Sequence, residues 1–262
     1  MQTTKLFRCV TINVNGIRAA VKKGLIPFLE TIGADVVCLQ ETRADHADLE
    51  KIFSSWGYVW ASSVAQKRGY SGTAVLTRTA PLQIQTDFFP LATDEGRIVV
   101  MEFEKIFVSS IYFPSGTSSP ERQAEKYRFM DLMEPILQAA LQRKKGTVWC
   151  GDWNIAHTKE DLKNWRSNQK NSGFLPEERA WLDKVIGQWG YVDAFRVVNQ
   201  ASDQYTWWSH RGRAWDNNVG WRIDYHMITP DLRPAVKSAW IYKDTRFSDH
   251  APVIVDYDLS VL

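Results

Sequence analysis

Six apolar, strand-like segments of the sequence run directly into side chains that can bind metal ions, transfer protons or contact phosphate. These side chains are Asn13, Asn15, Glu41, Tyr112, Asp152, Asn154, Asp224, Asp249 and His250. A single Asp or Asn after a strand is usually a turn former or a helix cap, so only the combination is informative. Carboxylate oxygens are hard ligands that favour Mg²⁺ or Mn²⁺ over structural zinc. With an imidazole and several amides beside them, they predict metal-assisted attack of water on a phosphodiester.

These side chains form one site only if the segments before them end at neighbouring sheet edges. Strand-like runs, several of them β-branched and alternating, occur at 6–14, 35–40, 72–77, 97–103, 106–113, 147–150, 223–228 and 252–257. Helical patterns lie before Gly33, over 120–142, and from Pro176, where Glu177 and Glu178 occupy the first turn. This order predicts a layered α/β architecture with sheets inside and helices outside. Periodicity alone does not distinguish one large sheet from two packed sheets.

The composition is that of an ordinary globular protein, with 44% hydrophobic and 24% charged residues in a chain of 262. Because the chain has no internal repeat and no Gly/Ser-rich linker, we expect a single domain over residues 1–262. A formal charge of +2 is too balanced to identify a partner, so a nucleic-acid surface must be a local patch. No apolar run approaches the length of a membrane span, and the first residues lack the apolar region of a signal peptide. We therefore expect a cytoplasmic protein without a membrane partner.

The three cysteines, Cys9, Cys38 and Cys150, are far apart in the sequence and lie inside apolar runs. A thiol in such a position usually packs as a small hydrophobic group. We expect all three to be reduced, buried and structural.

Five motifs, in this order and at this spacing, resemble the exonuclease III family of apurinic/apyrimidinic endonucleases. They are Ile12-Asn13-Val14-Asn15-Gly16-Ile17-Arg18-Ala19, Leu39-Gln40-Glu41-Thr42, Gly151-Asp152-Trp153-Asn154-Ile155-Ala156, Asn217-Asn218-Val219-Gly220-Trp221-Arg222-Ile223-Asp224-Tyr225 and Phe247-Ser248-Asp249-His250-Ala251-Pro252. The resemblance extends over essentially the whole chain, and five ordered motifs are far more specific than one. It implies a four-layered α/β sandwich, with two packed mixed β-sheets flanked by helices, like pancreatic deoxyribonuclease.

The resemblance also implies a metal site. Glu41 corresponds to the principal Mg²⁺ carboxylate, with Asn13 and Asn15 beside it, and Asp249 is expected to contribute to metal binding or hydrogen bonding. Asn15 stands where some relatives have Asp, which favours one-metal chemistry. We expect Mg²⁺ as the cofactor, with Mn²⁺ as the alternative.

Five further residues carry over as the catalytic set. Asp152 resembles the residue that orients or deprotonates the attacking water, and Asn154 is expected to face the same side along an extended segment. His250 resembles a phosphate-contacting histidine whose tautomer and charge are fixed by Asp224. Tyr112 resembles the tyrosine that reaches the phosphate or the leaving group. Together they match the requirements of phosphoryl transfer.

Substrate contacts are expected from a polar, amide-rich segment and from an aromatic pocket. The segment 164–174 resembles the family loop that holds the target strand, and its candidate contacts are Asn164, Asn168, Lys170 and Asn171. Trp207, Trp221 and Ile223 fall where the family places the apolar wall around a flipped-out abasic sugar. Arg211 is a candidate for phosphate contact or for insertion into the duplex.

Two other readings remain open. The chain also resembles the bacterial catabolite repression control protein, a regulator acting in RNA complexes, although here Glu41, Asp152, Asn154, Asp249 and His250 are all present. A phosphatase or lipid phosphodiesterase on the same scaffold is the second. The intact set favours an enzyme that cuts 5′ to abasic sites, with 3′-5′ exonuclease or 3′-phosphodiesterase activity. Its expected partner is duplex DNA with abasic sites or blocked 3′ ends, and the family expectation is a monomer.

Overall fold

The strands of the protein form two six-stranded mixed sheets, seen in a computed structural model that describes residues 6–86 and 94–262. The strands are β1 (Phe7–Asn13), β2 (Val36–Gln40), β3 (Val59–Ser63), β4 (Thr73–Thr77), β5 (Gln83–Gln85), β6 (Ile98–Glu102), β7 (Ile106–Tyr112), β8 (Gly146–Asp152), β9 (Val192–Asp193), β10 (Trp207–Trp208), β11 (Gly220–Trp221), β12 (Asp224–Ile228), β13 (Val236–Ile241) and β14 (Val253–Tyr257). The first sheet has the order β13-β14-β1-β2-β4-β3 and the second β5-β6-β7-β8-β12-β9. Strands β10 and β11 form a separate two-stranded ribbon.

Helices connect many of these strands. They are α1 (Ile17–Lys22), α2 (Leu25–Thr31), α3 (His46–Phe53), α4 (Pro120–Leu141), α5 (Trp165–Asn168), α6 (Pro176–Asp183) and α7 (Ala194–Val198). A π-helical turn spans Lys184–Gln188, and 3-10 turns span Lys159–Asp161, Pro230–Ala235 and Leu259–Val261. The sequence signals for α4 are explicit, because Ser119 caps its first turn by accepting from the Arg122 amide and Pro120 occupies the first helical position. In the described part of the chain, no helix is long and apolar enough to cross a membrane.

Alternation along the strands divides the core into three layers. On β1, Cys9 faces the second sheet whereas Val10 faces the helices, because successive strand residues point to opposite sides. The central layer between the sheets includes Val36, Val75, Val99, Val108, Val148 and Val255. The outer layers pack the first sheet against α1, α2 and α3, and the second sheet against α4 and α6. The observed order of helix, sheet, sheet and helix confirms the predicted four-layered α/β sandwich.

Candidate active site

The sheet topology brings the predicted polar residues to one edge of the sandwich. Tyr112 and Asp152 are directly paired at the ends of the parallel strands β7 and β8, and Asp224 pairs with Asp152 from the antiparallel strand β12. In the other sheet, Asn13 ends β1 beside the end of β2, and Glu41 follows directly. The two sheets therefore contribute acids to the same site.

The backbone at this edge is locally unusual. Asn15, Glu41 and Asn154 have φ values of 45°, 51° and 54°, in the left-handed region that side-chain-bearing residues rarely adopt. Such a conformation ends the strand abruptly and redirects the side chain, so Asn154 does not continue the extended segment that the sequence predicted. Its amide Nδ2 nevertheless lies 3.2 Å from Asp152 Oδ2. At Gly151, a Cβ atom would lie 1.9 Å from the Ile111 carbonyl oxygen, so β7 and β8 approach too closely for a side chain there.

Asn13 joins the acids of the two sheets. Its Nδ2 donates to Glu41 Oε1 at 2.8 Å and to Asp152 Oδ2 at 2.9 Å. Its side-chain oxygen accepts from the Asn15 amide at 3.0 Å, and Asn15 Nδ2 donates to Asp249 Oδ1 at 2.8 Å. Both asparagines thus direct amide nitrogens at carboxylates. In this arrangement they position the acids, and their predicted role as metal ligands stays a prediction.

Glu41 is held by donors on both carboxylate oxygens. Tyr112 Oη donates to Oε1 at 2.9 Å, and Arg43 Nε donates to Oε2 at 3.0 Å. Burial and the charge of Glu41 raise the pKa of Tyr112 well above its usual range, so the phenol keeps its proton. Arg97 lies over the Tyr112 ring, 4.7 Å from its centroid, and fixes its orientation.

His250 and Asp224 form a buried ion pair, with His250 Nδ1 2.9 Å from Asp224 Oδ2. Burial alone would lower the pKa of His250, but the Asp224 carboxylate, followed by Asp152 and Asp249, raises it to about 10. The imidazole is therefore a cation at neutral pH. Its Nε2 lies 3.8 Å from Asp152 Oδ2, which is too far for a direct hydrogen bond. A water or phosphate oxygen near this gap can interact with both groups.

Asp152 has the properties of a proton acceptor that works near neutral pH. Burial and the nearby charge of Asp224 raise its pKa to about 7, although His250 and the Asn13 amide act in the opposite direction. Its Oδ1 accepts from the Asn154 backbone amide at 2.8 Å. A general base is most effective when its pKa lies near the working pH.

Asp249 stays ionised despite its burial. Burial opposes ionisation, but the His250 charge and hydrogen bonds from Asn15 and Trp207 lower the pKa of its carboxyl group. Trp207 Nε1 donates to Asp249 Oδ2 at 3.1 Å. Trp207 therefore has a polar link to the site in addition to its predicted apolar role.

A cleft of about 1260 Å³ opens onto these groups. All the predicted site residues line it except Asn13 and Asp224, which lie behind it and hold the lining residues in place. The predicted substrate residues in the lining are Asn164, Asn168, Lys170, Asn171, Trp207, Arg211, Trp221 and Ile223. Amides order the loop, since Asn171 Nδ2 donates to Asn168 Oδ1 at 2.8 Å and Asn168 Nδ2 donates to the Asn164 carbonyl at 2.8 Å.

Two features of the site were not predicted from the sequence. One is Arg43, and the other is a buried ion pair that supports the 164–174 loop. Lys126 Nζ lies 2.5 Å from Glu178 Oε1 and donates to the Asn154 carbonyl at 2.8 Å. Glu178 Oε2 accepts from the backbone amides of Gly173 at 2.7 Å and Leu175 at 3.0 Å. The pair thus connects the backbone beside Asp152 with the end of the 164–174 loop. The Glu-Thr-Arg string at 41–43 was the one available signal for Arg43.

The donor set fits a hard divalent cation. Carboxylate oxygens of Glu41 and Asp249 line the cleft, with amides beside them, and such oxygens are the usual ligands of Mg²⁺ and Mn²⁺. Asp152, Asp224 and His250 also have ligand atoms within 4.8 Å of one another. His250 is protonated by its interaction with Asp224, however, and an imidazolium cannot bind a metal ion. Among the residues that line the cleft, Glu41 and Asp249 thus offer carboxylate oxygens, and their predicted roles as metal ligands stay predictions.

The same combination of fold and motifs occurs in known proteins. Residues 10–250 match the Endonuclease/Exonuclease/phosphatase family. The chain belongs to this family. An exodeoxyribonuclease of Bacillus subtilis (strain 168) is 37% identical over 94% of this chain and 97% of its own length. A DNA-(apurinic or apyrimidinic site) endonuclease of Dictyostelium discoideum is 33% identical over 97% of this chain and 71% of its own length.

Solved structures of this family have the same architecture. An AP endonuclease from Archaeoglobus fulgidus superposes with a TM-score of 0.86 at 26% identity, over 96% of this chain and 99% of that chain. The predicted family and fold are confirmed. The prediction of an enzyme of the exonuclease III type agrees with the names of both relatives.

Proposed function

We propose that the protein is a Mg²⁺-dependent DNA repair endonuclease that hydrolyses the phosphodiester 5′ to abasic sites in duplex DNA. A 3′-5′ exonuclease or 3′-phosphodiesterase activity on blocked 3′ ends accompanies it in this proposal. The observation that carries it is the placement of Asp152, which Asn13, Asn154 and His250 surround at the floor of the cleft. The DNA-related names of the relatives support it. We further propose a cytoplasmic, monomeric enzyme.

Asp152 is the general base in this mechanism. Its carboxylate accepts a proton from the attacking water, while the Asn154 amide group fixes its orientation. The proton is accepted at a group with a pKa of about 7, which matches a neutral reaction medium. As the water oxygen bonds to phosphorus, the bond from phosphorus to the 3′ oxygen breaks; this oxygen takes up a proton from solvent to become a 3′-hydroxyl, and a 5′-deoxyribose phosphate remains.

His250 and Tyr112 face the charge that develops on phosphate. The His250 cation contributes an N–H donor from Nε2, because its Nδ1 is already bound to Asp224. The Tyr112 phenol retains its proton and is placed at the Glu41 side of the cleft. The His250 N–H is a preorganised donor that stabilises a transition state without having to reorient, whereas the Tyr112 O–H, which donates to Glu41, would have to turn toward the phosphate.

Glu41 would hold Mg²⁺, with Asp249 as a further carboxylate in the cleft lining and Mn²⁺ as a substitute ion. When bound, the cation supplies Lewis-acid stabilisation of the negative charge on the phosphate. Arg43 holds the Glu41 carboxylate in position through its ion pair.

The cleft walls fit an extrahelical abasic sugar. Trp207 and Trp221 stand edge to face with ring centroids 6.3 Å apart, and Ile223 is buried beside them. An abasic nucleotide has no base to unstack, so it leaves the helix at low cost and enters a small apolar pocket. Lys170, Arg211 and the loop amides would contact the strand phosphates.

The test is cleavage of a labelled duplex that carries one tetrahydrofuran abasic analogue, with Mg²⁺ and with EDTA. We expect metal-dependent cleavage 5′ to the analogue by the wild-type protein. Asp152→Asn should bind this duplex but not cleave it, whereas Asp131→Asn, an equivalent change at an exposed site on α4, should cleave normally. Absence of cleavage across a series of divalent metals would refute the proposal and favour the regulator acting in RNA complexes.

A further inference from the structure

All three cysteines of the chain meet at one point in the core. Cys9 and Cys38 come from neighbouring strands of the first sheet, and Cys150 comes from β8 of the second. Their sulfur atoms lie within 4.8 Å of one another, with Cys9 Sγ 3.6 Å from Cys150 Sγ, and all three residues are 0% exposed. Three separate positions in the sequence thus supply a single group of soft ligands.

A buried histidine adjoins this group. His226 lies on β12, and its Nδ1 is 3.5 Å from Cys150 Sγ and 3.2 Å from the Tyr257 hydroxyl. Its Nε2 lies 3.3 Å from the Val253 carbonyl oxygen. Because a carbonyl only accepts, Nε2 carries the hydrogen and the neutral ring directs the Nδ1 lone pair toward the sulfur. A histidine that binds a metal ion usually has this arrangement, with its second nitrogen donating to a carbonyl or carboxylate.

We propose that Cys9, Cys38 and Cys150, with His226 as the adjoining nitrogen ligand, form a site for one soft metal ion of the Zn²⁺ class. In a tetrahedral zinc site with Zn–S near 2.3 Å, sulfurs lie roughly 3.8 Å apart and sulfur and nitrogen roughly 3.6 Å apart. The observed 3.6 Å between Cys9 and Cys150 and 3.5 Å between Cys150 and His226 are close to these separations. His226 is not part of the group whose ligand atoms all lie within 4.8 Å of one another, so its ring would move closer to the other sulfurs on binding.

This site differs from the catalytic one in ligand chemistry and in location. Thiolate and imidazole ligands select Zn²⁺ and related soft ions, whereas the oxygen ligands of the cleft select Mg²⁺. The thiols lie between the two sheets, surrounded by apolar residues of the central layer. The ion would therefore enter before the sheets close, release the thiol protons, and link strands of both sheets. The inference does not depend on the proposed nuclease function.

The test is retention of metal by the folded protein. The chain is unfolded with a chelator, refolded with an equimolar amount of Cd²⁺ or Zn²⁺, and then dialysed against EDTA. We expect about one ion per chain, together with the ultraviolet charge-transfer absorption of cadmium thiolate. EDTA should remove a cleft-bound ion but not this one, because the thiols have no exposed surface.

Cys9→Ala and Cys38→Ala are the matched variants, since both remove a sulfur without touching the cleft. Each should lose the retained ion and the absorption while remaining folded by circular dichroism. Native purification from zinc-supplemented cells, followed by the same dialysis, gives a second measurement that needs no refolding. Folded wild-type protein that retains no ion in either preparation would overturn the proposal. Variants that retain as much metal as the wild type would overturn it as well.

Discussion

Replacing Asp224 with asparagine tests the electrostatic design of the site most directly. Asp224 Oδ2 lies 2.9 Å from His250 Nδ1, and both side chains are buried. Burial opposes the charge of His250, but Asp224 and the other carboxylates raise its pKa from 6.5 to about 10. At 1.36 kcal/mol per pKa unit, this rise means that the folded protein stabilises the protonated over the neutral form of His250 by about 5 kcal/mol more than water does. Asp224 contributes most of it, since it is the only one of these carboxylates that the ring contacts directly.

Asp224→Asn should lower the pKa of His250 from about 10, because the strongest of the charges that oppose the effect of burial is removed and only Asp152 and Asp249 remain. Above the lowered pKa, loss of a charged donor at the phosphate should reduce kcat by about 10²–10³-fold. The alkaline limb of the profile of kcat/KM against pH, expected near pH 10 in the wild type, should move to lower pH. NMR titration of the His250 ring nitrogens measures the cause, and cleavage of the abasic duplex measures the effect.

Asp224→Asn should also lower the free energy of unfolding, by an amount that depends on pH. Because the pKa of His250 is higher in the folded than in the unfolded protein, its protonation contributes fully to stability below pH 6.5. This contribution disappears as the pH rises through about 10. The difference in the free energy of unfolding between wild type and Asp224→Asn, measured with urea, should therefore shrink between pH 6.5 and 10. Asp216→Asn, at an exposed site, should show no such trend. If His250 still titrates near pH 10 in Asp224→Asn, the reasoning is wrong.

Three further predictions follow from the same contacts. In the presence of EDTA, the affinity of the wild type for the abasic duplex should weaken between pH 6 and pH 8, because Asp152 becomes charged around its pKa of about 7. Fluorescence anisotropy measures this affinity, and Asp152→Asn should remove its pH dependence. Glu41→Gln should raise the Mg²⁺ concentration for half-maximal cleavage at least about tenfold, and an unchanged metal titration would exclude Glu41 as a ligand. Arg222→Met should cost about 3–5 kcal/mol in urea unfolding, because it removes the arginine that pairs with the buried carboxylate of Asp193 and leaves Asp161 with Arg196 alone; a loss below about 1 kcal/mol would contradict this.

The sequence predicted the central strands because they carry strong, local signals. The runs at 35–40, 72–77 and 106–113 correspond to β2, β4 and β7 within one or two residues. These strands are apolar and β-branched because they are covered on both faces. The polar residues after them form one site because their strands end at the same edge of the sandwich.

The elements that the sequence missed lie at sheet edges or are short. Strand β13 (Val236–Ile241) is mostly half-buried, so its side chains do not show the apolar pattern of an inner strand. Helix α3 has eight residues, and Asp45 begins it by accepting from the Asp48 amide. The number of sheets depended on long-range pairing, which periodicity does not encode. That choice came from the family resemblance.

Some details of the site also needed the structure. The direction of the Asn13 amide depends on Glu41 and Asp152, which are 28 and 139 residues away. Lys126 and Glu178 are 52 residues apart, and a charged residue within a helical pattern is normally expected at a solvated surface. Only the packed arrangement shows that both are buried.

The Lys126–Glu178 pair makes the assembly of the active site an all-or-none event. Separating it would leave a charge unpaired in the core, which costs about 3–5 kcal/mol. Because the same two side chains hold the Asn154 carbonyl and the amides of Gly173 and Leu175, we expect the backbone beside Asp152 and the 164–174 loop to form or to be lost together. Local unfolding should then produce molecules that neither bind nor cut, rather than molecules that occupy damaged DNA without repairing it. In a cell, such a failure would leave each lesion accessible to the next intact copy of the protein.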